Sequence, residues 1–357
     1  MGASFTQFDG AGTALPAHGG HLAARITALA LLAAACAVTA LIAHGSGIAG
    51  TAARSPGVPG ATGPEELVTS LEWPADGLAL AATTDGVVWE QRSRSPHVSG
   101  LWRYDPASGL TRRLLARRDL GRATGALAAA GSTVVWTSRP DGHAADTRVC
   151  AFDSLTGRRF IATRHGTAPG VSDRGVAWVD GSRRFGRPGT VVVGLDPVTD
   201  AHFNVSAGLE VRRVATGGRW VAWLGGRRVV ALDRRSGETF RLTRQATAMA
   251  MDGRAVVWAA LLSSGRTAIM TWDLGTRRSQ SLGRVDGTVT DLALSDQLIV
   301  WRQKSNGGDV QALERLTGRL IPVCTTPAAQ SAPVVLGRTV YWADRRSGEW
   351  ELYRRTL

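Results

Sequence analysis

The stretch GRTVYWADRRSGEWELY, residues 337–353, decides the fold. A Gly-containing turn leads into β-branched and aromatic residues that close on Trp342. A polar turn, Asp-Arg-Arg-Ser-Gly, follows, and a second run starts at Trp350. Such runs bounded by Gly and Asp read as strand, turn and strand, because Gly supplies positive φ and Asp bonds its own turn backbone.

Working outward, the same closing pattern recurs in TDGVVW at Trp89, GSTVVW at Trp136, DRGVAW at Trp178, GRWVAW at Trp223, DGRAVVW at Trp258 and SDQLIVW at Trp301. With Trp342 these seven of the twelve tryptophans are spaced by 47, 42, 45, 35, 43 and 41 residues. Self-similarity at that period marks a repeat architecture on the scale of propeller blades. Six units carry a second marker, an acidic residue between two short runs: Asp105, Asp153, Asp196, Asp233, Asp273 and Glu314.

Each unit therefore reads as four strands, the first made of small residues such as Ala126 to Ala129 because it lies nearest the axis. The expected fold is all-β: a seven-bladed propeller of four-stranded antiparallel blades, behind an N-terminal hydrophobic helix. The seven Trp are expected between blades as core, since burying a large aromatic is how such a ring coheres. The seventh unit lacks a fourth strand, and ELVTSL (66–71) resembles the fourth strands of other units, so it is expected to complete the last blade and close the circle.

Ahead of the repeats, residues 26–43 form an uncharged stretch, ITALALLAAACAVTALIA, the lower limit of length for a membrane-spanning helix. Three readings stay open, with a signal anchor preferred over a signal peptide cleaved near Ala53 or a lipoprotein signal ending at Cys36. All three export the remainder. The domain plan is a tail over 1–25, the apolar segment over 26–43, a Gly/Ala/Ser/Pro linker over 44–64 and the propeller over 65–357. The expected localisation is the cell membrane, single-pass with the propeller outside the cytoplasm, or alternatively secreted.

The formal net charge of +13 is almost wholly arginine, with Lys304 the only lysine. A basic surface favours anionic partners, and export disfavours nucleic acid. Cys150 and Cys324 fall in units 2 and 6, too far apart for a disulfide, and no spacing suggests a metal site or a cofactor.

The unit resembles the blade repeat of TolB-type propellers, in which an aromatic strand is followed by a strand ending in aspartate, a Thr/Ser-Gly turn and a run ending Leu-Thr. VYWADRRSGEWELY (340–353) and FRLT (240–243) carry the likeness, which covers residues 66–357. TolB-type rings more often have six blades, and the seven units here depart from that. The resemblance implies a fold and leaves function open, since such blades occur in interaction proteins, peptidase caps and lyases. No Gly-x-Ser-x-Gly elbow is present and the seventh unit runs to Leu357, so a peptidase cap is not expected.

In a propeller the loops between second and third strands share a face with those between blades. They supply the candidate ligand-binding rim: Arg92, Arg94 and His97; Arg139, Asp141, His143 and Asp146; His165; Arg183, Arg184 and Arg187; Lys304, Asp309, Arg345 and Arg346. The leading reading is binding of a protein partner or an anionic polymer of the cell envelope, because planar guanidinium forks suit carboxylate and phosphate. The alternative is a cell-surface polysaccharide lyase or hydrolase using His97, His143 and His165 with Asp141 or Asp146.

Overall fold

The computed structural model describes residues 63–71, 79–91, 99–139, 147–173, 175–182, 189, 191–196, 201–208, 210–304 and 308–357. The apolar segment 26–43 and the linker as far as residue 62 lie outside the described residues. Among the described residues no helix is long and apolar enough to cross a membrane.

Strand β1 (Glu66–Leu71) comes first in the chain. Blade 1 follows with β2 (Leu80–Thr83), β3 (Gly86–Gln91), β4 (Gly100–Asp105) and β5 (Leu110–Ala116). A one-turn helix α1 (Arg117–Leu120) links it to blade 2, β6 (Arg122–Ala130), β7 (Thr133–Arg139), β8 (Arg148–Asp153) and β9 (Arg159–Thr163). Blade 3 is β10 (Gly166–Ser172), β11 (Gly175–Asp180), β12 (Val191–Asp196) and β13 (Ala201–Ser206). Blade 4 is β14 (Val211–Gly217), β15 (Trp220–Gly225), β16 (Arg228–Asp233) and β17 (Thr239–Thr243). Blade 5 is β18 (Ala246–Met251), β19 (Ala255–Leu261), β20 (Thr267–Asp273) and β21 (Ser279–Val285). Blade 6 is β22 (Thr288–Leu294), β23 (Leu298–Lys304), β24 (Val310–Glu314) and β25 (Leu320–Cys324). Blade 7 has β26 (Gln330–Leu336), β27 (Thr339–Asp344) and β28 (Trp350–Thr356), and β1 is its fourth strand, antiparallel to β28.

The fold is thus an all-β propeller of seven four-stranded antiparallel blades. The innermost strands touch in sequence around the axis, β2 to β6, β10, β14, β18, β22 and β26, and β26 returns to β2. The helix α1 was not legible as a period, since a single turn is too short to show one. Tertiary contact holds it: Leu120 is buried and its carbonyl accepts the Trp136 Nε1 hydrogen at 3.3 Å.

Cohesion comes from seven apolar clusters, each spanning two neighbouring blades and each holding one repeat tryptophan. Trp89 packs with Val334, Tyr341 and Ala343 of blade 7. Trp136 packs with Val88 and Leu101 of blade 1, Trp178 with Val135 and Val149 of blade 2, and Trp223 with Val179 and Val192 of blade 3. Trp258, Trp301 and Trp342 repeat the relation one blade further each time. All seven are buried, so the side chain that marks the period in the sequence is also the one that joins each blade to the blade before it.

Inner strands approach closely enough to exclude side chains. A Cβ on Gly170 would lie 2.5 Å from the Val214 carbonyl oxygen, and one on Gly217 would lie 2.5 Å from that of Asp252. Cys150 and Cys324 are buried and unlinked, in blades 2 and 6.

Candidate functional site: the arginine-rich face and the central channel

On the face formed by turns joining first to second and third to fourth strands, several arginines bridge neighbouring blades. Arg277 of blade 5 reaches Glu238 of blade 4 at 2.9 Å and Asp233 at 3.5 Å. Arg315 of blade 6 pairs with Asp252 of blade 5, and Arg338 of blade 7 with Glu314 of blade 6 at 2.9 Å. The repeat acids also close their own turns: Asp105, Asp153, Asp233 and Asp273 accept backbone N–H groups two residues on. The carboxyls of Asp105 and Asp273 accordingly lie below the usual range, through bonds from Ser108 and from the Thr276 backbone respectively.

The opposite face carries the loops between second and third strands and the blade-to-blade connections. Of the rim residues expected from the sequence, Arg139 ends β7, His165 directly precedes β10, and Lys304 ends β23, all exposed. Arg345 is exposed and donates from Nε to the Gly348 carbonyl at 2.8 Å. Arg92, Arg94, His97, Asp141, His143, Asp146, Arg183, Arg184 and Arg187 lie outside the described residues. Arg227 and Arg244 join this face, on the β15–β16 and β17–β18 connections, and were not singled out from the sequence.

Arg346 belongs to the ring closure. Its guanidinium donates to Glu65 at 2.6 Å and to the fully buried Asp344 at 2.7 Å, and lies 4.2 Å over the Tyr353 ring. These contacts make it an ion-pair partner of two carboxylates at the ring closure.

The axis holds a channel of about 390 Å³ walled by the innermost strands. Its wall combines polar backbone with part-exposed apolar side chains such as Ala128, Met251 and Leu294. Three charged side chains interrupt it, Arg212, Arg213 and Asp291. Consecutive strand residues normally point to opposite sides, so two adjacent arginines on one wall need a cause. It is a β-bulge: Val211 pairs with Gly225 and Arg213 with Leu224, leaving Arg212 as the extra residue. The first strands of blades 2 to 7 all shift register against their neighbours, and in β22 the irregularity carries Asp291 at φ 49°.

Asp291 is already matched. Arg302 Nε sits 2.8 Å from its carboxylate and 3.1 Å from the Thr290 hydroxyl, while Nη1 donates to the Gln330 carbonyl at 3.2 Å. Among the described residues neither Arg212 nor Arg213 has an ion-pair partner. Arg213 is reached by water yet enclosed by the channel wall, and this loss of solvation lowers its pKa against the opposing pull of Asp291. It stays a cation, since arginine does not deprotonate in proteins. Val211 pairs with Gly225 beside Arg227, so the two channel arginines sit toward the arginine-rich face. The sign that could have revealed them is Arg-Arg in a strand where blades 3 and 7 place Ala-Pro. Among the described residues no group of three His, Cys, Asp or Glu side chains could hold a metal ion.

The sequence matches no protein-family model and no curated protein. Solved structures do share the fold. One is a chain of a mitotic checkpoint complex, 15% identical with TM-score 0.58, covering 87% of this chain and 97% of that one. Another is an oligogalacturonate lyase in complex with manganese, 12% identical with TM-score 0.58, covering 83% and 98%. A third is the β-propeller domain of the Trilobed protease from Pyrococcus furiosus, 8% identical with TM-score 0.53, covering 78% and 93%. At these identities the likeness establishes the propeller and nothing of its chemistry.

Proposed function

We propose that this propeller is a binding module of the TolB type, exported and tethered through residues 26–43, which holds an anionic partner on its arginine-rich face. The partner class is an acidic protein surface or an anionic polymer of the cell envelope. One observation carries the reading: Arg139, Arg227, Arg244 and Lys304 on this face, with Arg212 and Arg213 at the channel, have no ion-pair partner among the described residues. Unneutralised cations clustered around a concave opening focus the field and draw anions. The neighbours support a binding use of the same ring by analogy, one being part of a checkpoint complex and another a lyase named for oligogalacturonate, a polyanion.

The test is retention of the full chain on phosphocellulose as salt is raised. Neutralising Arg183, Arg184 and Arg187 together, or Arg227 and Arg244 together, shifts elution to lower salt in this reading. Elution unmoved by both sets rejects it.

A second reading, a polysaccharide lyase or hydrolase working through His97, His143 and His165, draws on the likeness to the manganese-bound lyase. Metal content of the purified chain and turnover of acidic oligosaccharide by His143→Ala decide it: no stoichiometric metal and no effect of the substitution end it.

A further inference from the structure

Two adjacent arginines, Arg212 and Arg213, stand exposed on the wall of the central channel, and neither has an ion-pair partner among the described residues. The acid on the wall, Asp291, is paired with Arg302 at 2.8 Å. The bulges of β10 and β26 hold uncharged residues, Ala168-Pro169 and Ala332-Pro333. The bulge of β14 instead turns both Arg212 and Arg213 onto the channel. Two guanidinium forks side by side offer parallel N–H donors to the oxygens of one carboxylate or phosphate. A cavity of about 390 Å³ lies in the range that takes a small molecule or one inserted chain segment.

We infer that Arg212 and Arg213 clamp the oxyanion of an amphipathic ligand, a carboxylate or phosphate ester whose apolar body lies in the channel along Ala128, Met251 and Leu294. This rests on the reading of the arginine-rich face as an anion-binding surface and narrows it to one site and one ligand shape. The charge seats at the arginines, and the hydrocarbon displaces water from these part-exposed apolar side chains.

The experiment is calorimetric titration of the full chain at low ionic strength with two probes sharing one apolar body, octanoate and octyl phosphate. One saturable site per chain is expected for at least one probe, and the tighter probe names the head group. Replacing both arginines, R212Q with R213Q, weakens it about tenfold or more, while R235Q with R254Q on the opposite face leaves it unchanged. Arg213→Lys keeps the charge but loses the fork. It weakens binding several-fold with an unaltered melting temperature, which keeps the test decisive if the double variant misfolds. No saturable heat with either probe overturns the clamp, as does equal binding by a folded R212Q/R213Q chain. If phosphocellulose retention responds to Arg227 and Arg244 while neither probe binds, the clamp falls and the anionic-face reading stands. If the probes bind but retention ignores both sets of substitutions, the face reading alone falls.

Discussion

Arg346 donates from Nη1 to the Glu65 carboxylate at 2.6 Å, although the two residues stand 281 positions apart in the chain. The bond joins the residue just before β1 to the turn after β27, where the ring is closed. Beside it Arg354 bonds Glu66 at 2.7 Å, and Arg355 donates to the Gly63 carbonyl at 2.9 Å. Polar contacts thus flank a backbone ladder from Glu66 to Leu71.

Removing residues 65–71 is expected to abolish cooperative unfolding of the ring, because blade 7 would lose its outer strand and Leu71 its place in the cluster of Trp89. Glu65→Gln breaks a partly exposed pair and costs only about 0.5–1 kcal/mol. Thermal unfolding followed by circular dichroism checks both; an unchanged melting temperature in the deletion contradicts the closure.

Asp344 makes stability depend on acid. Burial disfavours its charge, yet the hydrogen bond and charge of Arg346, with bonds from Cys324 and Trp342, prevail and hold its carboxyl below the usual range. The folded value lies below the unfolded one, so its stabilisation is complete above the unfolded pKa, about 4, and is lost as pH falls through the folded value. Asp344→Asn should lower stability at neutral pH by about 2–3 kcal/mol, less than for a fully buried pair because Arg346 is partly exposed. The wild-type loss below about pH 4 should be correspondingly shallower in the variant, as read from urea midpoints across pH.

The tryptophans separate packing from hydrogen bonding. Trp342 donates from Nε1 to Asp344 at 3.4 Å, while the buried Nε1 of Trp301 has no partner. Truncation to Ala at either site should cost about 3–5 kcal/mol. Replacement by Phe should be costlier at Trp342 by about 1 kcal/mol, since it leaves a buried acceptor short of a donor. Equal midpoints for Trp301→Phe and Trp342→Phe would contradict the assignment.

Tyr353 should ionise late. Burial, then the hydrogen bond from its hydroxyl to Glu351 at 2.9 Å, push its pKa up to about 12. A raised folded value means stabilisation present below pH 10 and lost as pH rises through about 12. Ultraviolet titration of the phenolates should show a step near pH 12 that Tyr353→Phe removes.

Gly170→Ala should destabilise by about 1–3 kcal/mol, because the atom it meets is the Val214 backbone carbonyl, which has no rotamer to yield. Denaturant midpoints of this single variant check it.

Strand period, blade count, the inter-blade tryptophans and the run 66–71 were legible in residue order, because they rest on local alternation, Gly and Asp turns and a repeat that copies itself every few dozen residues. The site was not. Arg346 read as a rim cation because nothing local announces that Glu65 and Asp344 converge on it. Arg212 and Arg213 are not singled out by the alternating strand pattern, and only the pairing with β15, with its bulge, sets both at the channel. Residue order alone determined the blades and the order in which they stack. Tertiary structure decided which arginines are neutralised and which face an open channel, since charge compensation depends on partners brought together from separate blades.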